Sequence, residues 1–424
     1  MSRSRGNCSA CLAALVAGCL LVACAEEDAG PQFATDPRPT RAPTEAVASA
    51  SPSLLPTAES IATPTSFTDL LAVRGAASVV FVVSGNEVWS IASDGEAGEL
   101  FQAPGGSTIL AIDPSPDGQA VAVLLEGASS GRLLPQIIIV DAAGSVTNRV
   151  DAPFESAATP IASRGPSEPT VDWSPQGDKV LAQLATGEVI EFSTEENGAP
   201  VLLDFDGVEG HVIEPAWSPT GQSIAFISEN EAGETRSLGM LQIETGEIAT
   251  VVTPLQGRLV VDFAWLPDGV SLLFTEGGAP GSAISGIDLW RVDASGENRS
   301  LVASAGTVAP VARIANVSPS PDGRSVAYTV LVPGPRGPTV DSVWVRSLAS
   351  GIGFRIALPS VAAIEDMWWT DEGLVVSVVT GPTAQGRPPT QALLQARRDG
   401  SISALWAAPA APGSATPVAP AASS

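Results

Sequence analysis

The chain is poor in the side chains that most polar catalysis and metal binding rely on. Among its 424 residues Lys179 is the only lysine and His211 the only histidine. That removes most imidazole-based metal sites and leaves one candidate for general-base work near neutral pH. Positive charge is scarce overall, with 21 Lys plus Arg against 46 Asp plus Glu and a net charge of -25. Such a surface repels phosphate backbones and anionic headgroups, so nucleic acid is not an expected partner. All four cysteines, Cys8, Cys11, Cys19 and Cys24, fall in the first 24 residues. A chain that begins at Cys24 therefore has no thiol pair for a disulfide or a soft metal. Nothing after Cys24 offers the ~20 consecutive apolar residues that a spanning helix needs.

The first 24 residues read as an export signal. Arg3 and Arg5 make a short basic start, and Cys11 to Leu21 is an apolar run too short for a permanent membrane helix. It ends in Leu21-Val22-Ala23-Cys24, which resembles the bacterial lipoprotein lipobox. The resemblance implies removal of residues 1–23 and diacylglycerol on the Cys24 thiol. A second match, Val16-Ala17-Gly18-Cys19, would cut the apolar run short, leaving Cys19 as the alternative site. Residues 24–66 are rich in Pro, Thr, Ala and Ser and carry no apolar period, so they cannot bury enough surface to offset ordering. They are expected to be a disordered tether, and residues 407–424 have the same character.

Between these segments, over residues 67–406, the sequence repeats. A turn motif reads Ser115-Pro116-Asp117-Gly118, Ser174-Pro175-Gln176-Gly177, Ser218-Pro219-Thr220-Gly221, Leu266-Pro267-Asp268-Gly269, Ser320-Pro321-Asp322-Gly323 and, degenerately, Thr370-Asp371-Glu372-Gly373. Proline presets φ at the first central position and glycine takes the left-handed conformation that opens the next strand. An apolar trio follows each glycine, as in Val121-Ala122-Val123 and Ile224-Ala225-Phe226, which predicts strands buried on both faces. Tryptophan precedes the turn in four repeats, as Trp173, Trp217, Trp265 and Trp369, at equivalent places suited to stapling neighbouring units. A second series of hairpin glycines, Gly95, Gly144, Gly198, Gly246, Gly296, Gly351 and Gly400, recurs every 48 to 55 residues.

Four short strands per ~50-residue unit predict an all-β chain folded as a β-propeller. Seven hairpins predict seven blades, with six as the main alternative because the first repeat lacks the proline turn. The Ser-Pro-Asp-Gly turn followed by an apolar, small, apolar trio resembles the TolB-like or PD40 type of WD40-related propeller repeat, over about residues 68 to 406. The resemblance implies fold far more than function, since propellers of this kind serve as protein docks, peptidase gating domains and sugar-processing enzymes. Neither the α/β N-terminal domain of TolB nor a C-terminal hydrolase domain is present in the sequence.

Chemistry-bearing motifs are few. Gly127-Ala128-Ser129-Ser130-Gly131 matches the serine-hydrolase pattern but lies between two expected strands, where the required strand-to-helix elbow is absent. No catalytic residue is nominated. The acidic loop Asp204-Phe205-Asp206-Gly207-Val208-Glu209 offers oxygen ligands to Ca²⁺, yet lacks the remaining ligands of a full calcium loop, so no metal or other cofactor is assigned. Long connections on one face, at Glu126 to Pro135, Asp151 to Pro169, Leu203 to His211, Ser228 to Arg236, Glu276 to Gly286, Val332 to Thr339 and Gly381 to Thr390, are the expected recognition surface. Asp204, Asp206, Glu209, His211, Glu229 and Glu231 are the candidate binding residues there, and acidity favours a cationic or polar partner. The expected molecule is a monomeric, lipid-anchored scaffold on the extracytoplasmic side of a bacterial membrane, binding a protein, peptide or glycan. A carboxylate-based carbohydrate-active enzyme and an accessory subunit of a membrane complex are the alternatives.

Overall fold

The computed structural model describes residues 70–407 apart from 77–78, 85, 93–95, 130–131, 152–168, 195–198, 231, 279–285, 309–310, 335–336, 357, 359–362, 371–372, 380–390 and 398–400. The expected signal segment, Cys24, the expected tether and residues 408–424 of the expected tail lie outside the described residues.

The described residues form a β-propeller of antiparallel sheets, in which each chain segment runs up and down four times before passing to the next. The first sheet holds β1 (Leu70–Ala76), β2 (Val79–Ser84), β3 (Glu87–Ala92) and β4 (Ala97–Gln102). The second holds β5 (Ser107–Pro114), β6 (Ala120–Ser129), β7 (Arg132–Asp141) and β8 (Val146–Asp151). The third holds β9 (Thr170–Trp173), β10 (Lys179–Gln183), β11 (Val189–Ser193) and β12 (Val201–Leu202). The fourth holds β13 (His211–Trp217), β14 (Ser223–Glu229), β15 (Arg236–Gln242) and β16 (Ile248–Val252).

An eight-stranded sheet follows. It contains β17 (Arg258–Trp265), β18 (Ser271–Gly278), β19 (Ile287–Asp293) and β20 (Ser300–Ala303), then β21 (Arg313–Pro319), β22 (Ser325–Gly334), β23 (Gly337–Ser347) and β24 (Gly353–Ile356). Among the described residues the one strand pairing between its two halves is the parallel pair Ile287 and Arg313, and the halves share a core cluster. The last sheet holds β25 (Ala363–Thr370), β26 (Gly373–Val379), β27 (Gln391–Arg397) and β28 (Ile402–Ala407). Among the described residues the one helical element is a single 3-10 turn, Ala305–Thr307.

The turn motif behaves as its chemistry requires. In Ser115 to Gly118 the Gly118 N–H donates to the Ser115 carbonyl at 2.8 Å, and Gly118 adopts φ of 68°. The Ser115 hydroxyl donates to Asp117 at 2.6 Å, and with the Gln119 N–H it holds the Asp117 carboxyl below the usual carboxylate range. The apolar trios are buried on both sides: Val121, Ala122 and Val123 have no exposure, and neither do Leu272, Leu273 and Phe274. Burying such a side chain contributes about 1.5–3 kcal/mol, so the space between sheets is the core.

The four tryptophans that precede turns pack at boundaries between sheets, and two of them hydrogen-bond to the sheet before. Trp173 Nε1 donates to the Asp113 carbonyl of the preceding sheet at 2.8 Å, and Trp369 Nε1 donates to the Ser318 carbonyl at 2.9 Å. Trp217 packs with Leu181 and Val189 across the third and fourth sheets. Among the described residues the last sheet meets the first by packing: Val82 and Ile91 meet Trp368, Val375 and Leu393, and β1 and β28 pair within their own sheets.

Two connections expected to be irregular loops are ladder instead. Residues 126–129 and 132–135 lie within β6 and β7, which pair from Ala120 and Asp141 out to Ser129 and Arg132. Residues 332–334 and 337–339 similarly fall in β22 and β23, which pair out to Gly334 and Gly337. Each partner strand satisfies the backbone of the other, so the glycines and prolines in these segments do not end the strands. The first strand of the first repeat, expected over Asp69 to Val73, runs from Leu70 to Ala76. Of the other expected recognition loops, 152–168, 279–285 and 380–390 lie outside the described residues.

Candidate functional site

The first strand of each sheet faces the axis. β1 touches β5 and β25, β5 touches β9, β9 touches β13, and β17 touches β21, which touches β25. On five of these strands the register against the second strand slips at an equivalent place, between Ile109 and Ala111, Ile213 and Ala216, Val260 and Asp262, Ala315 and Ser318, and Ile364 and Asp366. A bulge of this kind bends the strand and redirects a side chain.

The redirected side chains line an axial cavity of about 390 Å³. Asp172 on β9, Glu214 on β13, Asp262 on β17, Asn316 on β21 and Asp366 on β25 supply four carboxylates and an amide, beside the apolar Val171, Pro215, Phe263 and Val317. Among the described residues no Lys, Arg or His lines it. The carboxylates are distributed around the wall: among the described residues no three His, Cys, Asp or Glu side chains converge closely enough to hold a metal ion. The wall therefore acts as a field of negative charge over several strands, inside low-dielectric walls that strengthen it.

Two lining residues sit in a conformation that side chains with a Cβ rarely adopt. Glu214 has φ of 54° and Asn316 φ of 51°. The left-handed region costs an L-residue roughly 1–2 kcal/mol, less for Asn, whose short amide can bond locally. Buried polar side chains hold both bulges. Gln183, 1% exposed, donates from Nε2 to the Val212 carbonyl at 2.6 Å and accepts the Glu214 N–H at 3.0 Å. Thr329, also buried, donates to the Ala315 carbonyl at 2.9 Å and lies 3.0 Å from the Asn316 side-chain amide. Asp172 has a second task, accepting the Trp217 backbone N–H at 2.6 Å, as Asp113 accepts that of Trp173 at 2.9 Å.

The acidic loop predicted from sequence lies away from this channel. Asp204 closes a local turn by accepting the Asp206 N–H at 2.9 Å. Asp206 and Glu209 stand on the rim of a separate groove against β14, β15 and β16. His211 opens β13 opposite Glu229. The Glu229 carboxylate is engaged by Arg236 at 2.7 Å, which gives it a local partner on the neighbouring strand. Glu231 lies outside the described residues, as does Cys24. Ser129 ends β6 in a strand-to-strand hairpin, so the hydrolase pattern has no elbow around it.

The channel residues were missed by sequence reasoning, though a signal exists. Thr170, Glu214, Asp262, Asn316 and Asp366 each stand four positions before the first residue of the repeated turn. A polar residue at a fixed offset in an otherwise apolar strand marks an inward position that solvent reaches.

No protein family matches the sequence, and no curated protein is significantly similar to it. Solved structures share its shape. A prolyl endopeptidase matches with a TM-score of 0.56 at 13% identity, over 81% of this chain and 50% of its own. The tricorn protease matches with a TM-score of 0.47 at 12% identity, over 77% of this chain and 34% of its own. A TolB-type protein from Agrobacterium tumefaciens gives 0.39 at 14% identity, over 55% of this chain and 79% of its own. The chain thus spans half the prolyl endopeptidase and about a third of the tricorn protease. At such identity the likeness is one of fold, the β-propeller.

Proposed function

We propose that this propeller is a binding scaffold, tethered by lipid on Cys24 to the extracytoplasmic face of a bacterial membrane, and that its channel receives a cationic segment of a protein or peptide partner. The observation that carries the reading is the channel wall, with Asp172, Glu214, Asp262 and Asp366 and, among the described residues, no cation in its lining. A guanidinium or ammonium entering there exchanges water for fixed carboxylates where screening is weak. The strained Glu214 supports it, because such conformations persist where a functional geometry is held by its surroundings. The tether reading rests on Leu21 to Cys24 and the composition of residues 24–66.

The eight-stranded sheet is proposed to be two blades whose strands meet in one parallel pair, which makes the ring seven-bladed. A crystal structure with pseudo-sevenfold spacing of β1, β5, β9, β13, β17, β21 and β25 about one axis is the expected result. Six or eight repeats would refute the count.

Titration with an octa-arginine peptide tests the channel. Glu214→Gln, Asp262→Asn and Asp366→Asn combined should weaken binding by about tenfold, roughly 1.4 kcal/mol, although they remove only three of the 46 acidic residues. Equal affinity for the triple variant would place the cation elsewhere on the acidic surface.

The second reading, a carboxylate-based carbohydrate-active enzyme, is favoured by the same inward carboxylates. Hydrolysis of aryl glycosides that disappears in the triple variant would support it over pure binding.

A further inference from the structure

The third sheet ends in an unusually short outer strand. β12 has two residues, whereas the other outer strands have four to six. The outer part of the fourth sheet is thereby left uncovered, and a groove of about 500 Å³ runs along it beside the loop that links the two sheets.

The groove is built from rigid parts. Its floor is Phe226, 1% exposed, whose ring stands edge-on to Phe205 of the linking loop with centroids 5.1 Å apart. Gly239, opposite Phe226 on β15, makes room for that ring, since a Cβ there would come within 2.5 Å of it. The positions in the same register on the other third strands hold Trp89, Ile138, Ile190, Trp290, Trp344 and Leu394. The loop is pinned at its end by Gly210, with φ of 89°, where a Cβ would come 2.0 Å from the Glu229 carbonyl oxygen.

The walls are polar and uncharged except at one rim. Ser228, Asn230, Ser237 and Thr250 offer hydroxyl and amide groups, and Asp206 and Glu209 add two exposed carboxylates. Among the described residues no basic side chain lines the groove, which gives it little to neutralise an anionic ligand. Hydroxyls donate and accept, and a carboxylate can accept from two neighbouring hydroxyls at once, which together match a neutral polyhydroxylated ligand. The volume falls in the range of small-molecule sites.

We propose that this groove is a saccharide-binding subsite, independent of the channel. It lies on the outer part of the propeller, whereas the channel residues stand on the first strands.

The test uses the purified full-length protein and saturation-transfer NMR with cellobiose, N,N′-diacetylchitobiose and galactobiose as probes. At least one disaccharide should bind, and both Thr250→Trp, which fills the groove, and the pair Asp206→Asn with Glu209→Gln should weaken it by about tenfold or more. These side chains are exposed, so the fold survives their replacement. Glu214→Gln should leave saccharide binding unchanged, which separates this site from the channel. Absence of transfer to all three probes, or undiminished binding by Thr250→Trp, would overturn the proposal.

Discussion

Gln183 on β10 holds the Glu214 backbone on β13 across the gap between two sheets, accepting its N–H at 3.0 Å while donating to the Val212 carbonyl at 2.6 Å. The two bonds clamp a bulge whose central residue has φ of 54°. Replacing Gln183 with Leu strands a buried donor and acceptor and should cost about 1–3 kcal/mol each way the groups fail to find water. Glu214→Gly should do the reverse, stabilising the chain by roughly 1 kcal/mol, because glycine takes the left-handed region without penalty. Urea unfolding measures both. A Glu214→Gly variant less stable than the parent would mean that the carboxylate contributes more to folding than its backbone costs.

The repeated tryptophans divide into two kinds. Trp173 Nε1 reaches the Asp113 carbonyl, whereas Trp217 Nε1 is buried without a partner and its ring packs among Leu181, Val189 and Ile224. Trp217→Ala should cost roughly 3–5 kcal/mol, as large-to-small changes in a core do. Trp173→Phe should exceed Trp217→Phe by about 1 kcal/mol, since only the former loses a hydrogen bond. Thermal or urea denaturation of the two Phe variants checks this, and equal losses would contradict it.

Glu276 is a fully buried carboxylate held by two guanidiniums, Arg299 at 2.6 Å and Arg258 at 3.4 Å. Arg299 itself lies 4.5 Å from the Trp290 ring centroid and 5.1 Å from that of Phe274. Glu276→Gln keeps the shape but removes the charge that holds Arg299 and leaves Arg258 facing the more distant Asp288 at 3.9 Å. The expected loss is about 3 kcal/mol, at the lower end for a broken buried pair because the guanidiniums retain some water. Unfolding that stays within 0.5 kcal/mol of the parent, a margin of about the size seen for surface changes, would show that the pair is dispensable.

Lipid attachment predicts a partition change. Cys24→Ala should move the protein from the detergent phase to the aqueous phase, because several acyl chains on one residue are what give durable anchoring. Unchanged partitioning of that variant would contradict attachment at Cys24, and loss only in Cys19→Ala would move the site.

Much of the fold was legible because its signals are local. The Ser-Pro-Asp-Gly turns, the buried trios and the hairpin glycines each encode one connection and recur at nearly constant spacing, and Gly118, Gly177, Gly221, Gly269 and Gly323 all adopt the positive φ they imply. The hairpin tips were misread because Gly127 and Pro333 look like strand ends, yet cross-strand partners Leu134 and Pro338 continue the ladder past them. The channel was legible in principle through the polar residue four positions before five of the six turns, Ala111 being the exception. The groove was not, since it depends on how short β12 is and on where Gly239 and Phe226 meet, both consequences of packing between sheets.

The central claim is that the channel carboxylates capture a cationic partner, and co-purification from native membranes tests it most directly. The wild-type chain, the variant combining Glu214→Gln, Asp262→Asn and Asp366→Asn, and the groove variant Thr250→Trp should be compared by quantitative mass spectrometry of what each retains. The account predicts a partner with a basic segment that is retained by the wild type and by Thr250→Trp, and lost by about tenfold or more from the channel variant. The same partner retained equally by the channel variant would contradict it.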